Sequence, residues 1–183
     1  MRHVILPSVI LMAAAIGADA QLLDLTRRYQ VIARRDAQTL QMDLNKAGQA
    51  GIRLVTGSQA GTNEVVLLLE KVQQPNAVFE YLVIWESSPA EAERRLGLAA
   101  TQGFRLMPGT ITSRDKRLGG TDLIMVVEKA PGQRGGYEYL LLDTTLDSSF
   151  QVMLSGAVDK GYQVAGMLTN KNRSIVILEK PAA

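Results

Sequence analysis

Three tyrosines set the frame of this chain. Counting 22 residues on from Tyr29, Tyr81 and Tyr139 reaches a glycine each time, Gly51, Gly103 and Gly161. Each block then closes on an apolar run and the pair Glu-Lys, at 70–71, 128–129 and 179–180. Positions that recur in this way, at periods of about 52 and 58 residues, are the signature of one supersecondary unit written several times. The repeat constrains the fold before any single residue does. It predicts like surroundings for the three tyrosines.

Between tyrosine and glycine, three further columns fall into register: Leu40, Ala92 and Phe150; Leu44, Leu96 and Leu154; Ala47, Ala99 and Ala157. Their i, i+4, i+7 spacing is one face of a helix. The shared glycine stands where a helix end wants a positive φ. In the second copy Ser88-Pro89-Ala90-Glu91 predicts a capping Ser, Pro at the first helical position and Glu at the third. In the third copy Thr144 or Thr145, with Asp147 or Ser148, marks a vaguer helix start.

Strands flank the helix. The first ("YQVIA", "YLVIW", "YLLL") and the third ("VVLLLE", "LIMVVE", "IVILE") are apolar at nearly every residue, which predicts burial on both faces. The second ("IRLV", "FRLM", "YQVA") alternates, so one face meets water. A helical crossover followed by a hairpin gives the order 1-3-2 with all neighbours antiparallel. Gly57, Gly61, Gly119 and Gly120 are read as hairpin turns.

The expected architecture is α+β: three tandem βαββ units, each with a mainly antiparallel three-stranded sheet and one helix, packed into one fused domain. The units span 21–74, 75–132 and 133–183. A unit of about 45 residues is too small to hold a core alone, and the chain has no cysteine to staple it. The units must lean on one another, and the two-sided first strand is the seam.

Residues 1–20 read as a secretory signal peptide: Arg2 and His3, an apolar run from Val4 to Ile16, then Ala18-Asp19-Ala20. No later run is long enough to span a bilayer. The expectation is a periplasmic or secreted protein with no transmembrane segment after cleavage. The formal charge is +2 and cleavage removes one base and one acid, so no strong nucleic-acid field is expected.

Tyr-x-Val-Ile at the start of a unit, a helix closing on Gly103-Phe104 or Gly161-Tyr162, and a last apolar strand with Lys resemble a small bacterial βαββ domain family of unknown function. Gly51-Ile52 departs from that pattern. The resemblance covers most of residues 29 to 180 and implies the fold; it implies no catalytic residue and no cofactor.

The only histidine, His3, leaves with the signal peptide. The exported chain thus lacks imidazole and thiol, which removes Ser-His-Asp triads, thiol nucleophiles and ordinary zinc ligation. No catalytic residue, metal site or cofactor is expected. Asp143 and Asp147 are the nearest acid pair for a carboxylate-dependent hydrolase, although acids at a helix start more often cap it. The Glu-Lys pairs read as solvated strand ends. Function belongs where the copies differ. The second copy alone has Trp85 at the end of its first strand and a longer basic hairpin, Ser113-Arg114-Asp115-Lys116-Arg117. Trp85, Arg114, Lys116 and Arg117 are therefore the candidate partner-binding residues. The leading expectation is a non-enzymatic module that binds another protein or an envelope component. The alternatives are a carrier holding an apolar ligand between units and the hydrolase.

Overall fold

The architecture was taken from a computed structural model, which describes residues 24, 26–60, 64–74, 76–116, 119–133, 136–145, 147–170 and 173–182. The proposed signal peptide, Gly61 and Arg117 lie outside them.

The first segment runs β1 (Tyr29–Arg34), α1 (Ala37–Gln49), β2 (Ile52–Ala60) and β3 (Glu64–Lys71). The second runs β4 (Glu80–Glu86), α2 (Pro89–Thr101), β5 (Arg105–Leu106), β6 (Thr112–Asp115) and β7 (Thr121–Lys129). The third runs β8 (Tyr137–Thr144), α3 (Ser148–Val158), β9 (Gln163–Asn170) and β10 (Arg173–Pro181). Three antiparallel sheets result, ordered β1-β3-β2, β4-β7-β5 with β6 also on β7, and β8-β10-β9.

The order 1-3-2 is as expected, but the second strand of the second segment is broken in two. Pro108 cannot donate to the ladder, and Pro108–Thr110 winds into a 3-10 turn between β5 and β6. Ser113, Arg114 and Asp115 are consequently strand residues paired to β7 rather than a hairpin tip. Gly57 is likewise inside β2, where a Cβ would lie 2.5 Å from Leu67 Cδ2.

Local chemistry fixes the helices. Gly51, Gly103 and Gly161 have positive φ, which ends each helix without steric cost. Asp36 and Asp147 cap α1 and α3 by accepting the amides of Thr39 and Ser149. Ser88 holds the N-cap position of α2 but makes no side-chain cap bond; Glu91 instead pairs with Arg94 one turn on. The expected stripes face their sheets: Leu40, Leu44 and Ala47 are buried in α1, and Ala92, Leu96 and Ala99 in α2. Emptying one of these leucine sites to Ala would cost about 2–5 kcal/mol.

The segments are layered. Helix α1 lies between its own sheet and the second sheet, packing Leu40 and Leu44 in one cluster with Tyr81, Val83, Ile124 and Val126. Helix α2 lies the same way between the second sheet and Tyr139, Leu141 and Ile177 of the third. Among the described residues, helix α3 packs on its own sheet, Ala157 against Val176 and Leu178. The order through the molecule is sheet, helix, sheet, helix, sheet, helix. Strands β4 and β8 form the seams that their apolar sequence implies. Strand β1 does not: alternate residues of β1 face solvent, and among the described residues no helix lies over it. β3 alternates between buried and half-buried, while β7 is buried along almost its whole length.

Each seam also satisfies the open edges of the strands it joins, an obligation every edge strand carries. At the first seam, Gln41 of α1 donates Nε2–H to the Tyr81 carbonyl (2.7 Å) and accepts the Val83 amide (2.8 Å). In return the Tyr81 hydroxyl accepts the Leu54 amide of β2 (2.9 Å) and donates to Glu128 (3.0 Å). Arg53 of β2 grips the same carboxylate with Nη2 at 2.7 Å. At the second seam Glu93 accepts the Leu141 amide (2.8 Å), the Tyr139 hydroxyl accepts the Leu106 amide (2.9 Å), and Arg105 pairs with Glu179 (2.6 Å). Burial pushes both tyrosine hydroxyls well above their usual range. They remain neutral donors.

This corrects two expectations. Two glutamates of the recurrent Glu-Lys pairs are not solvated strand ends: Glu128 is buried and Glu179 nearly so, because each anchors a seam, whereas Glu70 stays partly exposed as expected, paired with Arg28. The three tyrosines do not share surroundings either: Tyr29 is half exposed, whereas Tyr81 and Tyr139 are buried in the seams.

Candidate functional site

Where the second and third segments meet at their hairpin ends, a cleft of about 470 Å³ opens to solvent. Its apolar part is Leu123 from β7, Leu168 from β9 and Ile175 from β10; Ser87, Thr121 and Asn170 border it. Local structure sets this lining. The 3-10 turn carries Ile111 onto β9 at Gly166, where a Cβ would meet Ile111 Cδ1 at 2.3 Å, so β9 approaches closely only because residue 166 has no side chain. Beyond that contact the strands part. Asn170 spans the gap through long bonds to Asp115 and Thr121, at 3.3 and 3.4 Å.

Beside the cleft, three of the four candidate binding residues converge on a residue that sequence reasoning passed over, Asp122. Trp85 Nε1–H donates to Asp122 Oδ2 (3.0 Å), Arg114 reaches the same oxygen (3.1 Å), and Lys116 and Ser87 reach Oδ1 at 3.0 and 2.9 Å. The Arg114 guanidinium also covers the Trp85 ring at 4.6 Å, a cation–π contact, and donates to the Arg35 carbonyl in the first segment. Lys116 additionally donates to Ser87. Burial alone would raise the pKa of Asp122, but the bonds from Trp85, Lys116, Ser87 and Arg114 together outweigh it and hold the group at about 2. Asp122 stays ionised and neutralises much of the basic strand. The fourth candidate, Arg117, lies outside the described residues.

The cluster ties the hairpin to β4 and meets the cleft through Ser87, one of its lining residues. One rim of the cleft is an ion pair, Arg173 Nε to Asp143 Oδ1 at 2.9 Å. Asp147, the second member of the acid pair, caps α3; the Ser149 and Thr145 hydroxyls hold its carboxyl at about 2. Asp143 and Asp147 thus have separate structural partners. Among the described residues no group of three or more acidic, His or Cys side chains is placed to hold a metal ion. The arrangement offers an apolar slot between paired charges, suited to receiving a side chain or a small apolar body.

Two signals bear on what was missed. Asp122 is the acid at the start of the return strand of a basic hairpin, and its β6 partner across the ladder is Arg114, so charge pairing across a hairpin was there to read. Leu168 and Ile175 carry no sequence mark, because the cleft depends on how two segments dock. Comparison of the chain with known protein families, curated proteins and solved structures found no match. Among the described residues no helix is long and apolar enough to cross a membrane.

Proposed function

We propose that the protein is a non-enzymatic, exported interaction module: three tandem βαββ units, spanning 21–74, 75–132 and 133–183, stacked so that the cleft between the second and third receives an apolar side chain of an extended protein segment. The observation that carries this reading is the cleft itself, where half-buried Leu168 and Ile175 stand beside the buried Leu123 while the charges at and next to its mouth are paired with one another. Paired charges favour binding over proton transfer. The unpaired atoms of a bound backbone would meet Asn170, Thr121 and Ser87. Export to the periplasm, or beyond it, rests on the pattern of residues 1–20, and the natural partner is then another exported protein or an envelope component.

A second reading, a carrier for a small apolar molecule, is favoured by the cleft volume, which falls within the range of small-molecule sites. One experiment separates the two. Short peptides are selected by phage display on the exported chain and titrated by NMR. The interaction reading expects amide shifts centred on Leu123, Leu168 and Ile175, and a loss of affinity of at least roughly tenfold in Leu168→Glu, which places a carboxylate in the apolar slot. Peptides that never shift those residues, combined with thermal stabilisation by small apolar ligands, would replace it with the carrier reading.

A further inference from the structure

The two seams leave two halves unused, one at each end of the stack. The first is the outer face of the first sheet. Its Tyr29 and Val31 are 49% and 50% exposed, whereas the corresponding Tyr81 and Val83 are 2% and 5% exposed, and Tyr139 and Leu141 8% and 9%. Leu68, half-buried in β3, stands where Val126 and Ile177 are covered. The second half is α3 with the start of β9. Val164 is 54% exposed where Leu54 and Leu106 are 1% and 2%, and Val158 is 51% exposed where Ala100 is 1%.

The end of a stacked array is normally closed by a polar outer surface. Here the opposite holds. Residues 148–158 of α3 contain no charged side chain, although α1 carries two and α2 four, and among the described residues α3 is the helix with an uncovered side. The hydrogen-bonding groups of a seam are present too. Gln151 of α3 occupies the position of Gln41 and Glu93, exposed and bonded only to Ser155 one turn on, at 3.3 Å. In β1, Val31 pairs with Leu68 in the register in which Val83 pairs with Val126, so its amide points away from the sheet toward the side that no described residue covers.

We propose that the chain associates head to tail with a second copy of itself: the α3 and β9 face of one molecule receives the β1 face of the next. The joint repeats the two inside the chain. Gln151 bonds the Val31 amide and the Tyr29 carbonyl, the Tyr29 hydroxyl accepts the Val164 amide, and Val31 and Leu68 cover Val158. The occupant follows from continuity with these seams, which already show what such a helix and such a sheet face take up. Both half-seams are exposed in one chain, so the molecule does not close on itself, and a heterologous contact of this kind adds copies in a row or ring. One element of the inner seams is missing. Gln163 replaces Arg53 and Arg105, and Glu70 is held by Arg28 of its own segment at 2.9 Å. The joint therefore lacks the ion pair and is weaker and reversible. It is independent of the cleft.

The test is sedimentation velocity on the exported chain from about 1 to 200 µM, where contacts of micromolar Kd become populated. Wild type should shift from monomer to dimer and larger species. Val31→Asp and Val158→Asp should each remain monomeric, with unchanged circular dichroism because both sites are half exposed. Mixed in equal amounts, the two variants should form a heterodimer and stop there, since one intact tail meets one intact head. Tyr29→Ser and Val164→Ser form a second pair should either aspartate disturb folding. A wild type that stays monomeric, association that survives either variant, or variants that fail to pair when mixed would each overturn the proposal.

Discussion

The first and second sheets present nearly the same outer face, written Tyr-x-Val-Ile in both, yet one is bare and the other is covered by a helix. Tyr29 and Val31 are half exposed; Tyr81 and Val83, in the same register on their own sheet, are buried. Burial here follows from position in the stack. An identical side chain stabilises the fold only where a helix from the preceding segment lies over it, since the gain is proportional to apolar area removed from water.

The sharpest way to break this comparison is to put a charge on both faces. Val83→Asp would bury an unpaired carboxylate beneath α1 and is expected to cost more than about 3 kcal/mol, while Val31→Asp should change stability by less than about 0.5 kcal/mol. Urea denaturation of dilute protein reads both. Equal losses would mean that the two faces are equally covered.

The two glutamates come next. Glu128→Gln leaves Arg53 without its carboxylate and weakens the acceptor for Tyr81, an expected loss of about 2–3 kcal/mol. Glu70→Gln breaks only an exposed pair with Arg28 and should cost under about 0.5 kcal/mol.

Acid titration sharpens the contrast further. Asp122 has its pKa depressed to about 2 in the folded protein from an ordinary 3.8, so its contribution is complete above about pH 4 and is lost as pH falls through 2. That contribution is about 2 kcal/mol. Asp122→Asn should lower stability at neutral pH and flatten the acid limb, measured as unfolding free energy at successive pH values. Glu70 is also held below its usual value, by the Arg28 hydrogen bond first, but it is solvent-screened, and Glu70→Gln should leave the acid limb unchanged.

Two helix glycines give the last contrast. In α1, a Cβ at Gly48 would lie 2.1 Å from the Phe79 carbonyl oxygen, so Gly48→Ala should destabilise by about 1–3 kcal/mol. In α3, nothing lies within 4 Å of such a Cβ at Gly156, and Gly156→Ala should stabilise by up to about 1 kcal/mol. Thermal melts of both variants suffice.

Much of the fold was legible because it is local. The Leu40–Leu44–Ala47 stripe, the positive-φ glycines and the order 1-3-2 follow from periodicity, helix endings and hairpin geometry. The layering is not local. Glu128 reads like any strand-end acid until Arg53, 75 residues away, closes on it. Apolar runs in β1 and β7 look alike, and only docking decides that one is covered on both faces. The site was half legible. Trp85 and the basic strand stood out because they differ from the other copies, and they do meet, but the residue that gathers them is Asp122. The cleft lining was invisible, for Leu168 and Ile175 become neighbours of Leu123 only when two sheets meet. Pro108-Gly109 was a break signal in plain view.

Amide hydrogen exchange in dilute solution tests the central claim most directly. The amides of Val83 and Leu141 are bonded to Gln41 and Glu93 across the seams and should exchange only through large-scale opening. The Val31 amide, at the same place in its strand with no helix over it, should exchange close to the rate of an unprotected peptide. If Val31 proves as slow as Val83 in dilute protein, the first sheet is covered after all and the stack does not end where this structure ends it.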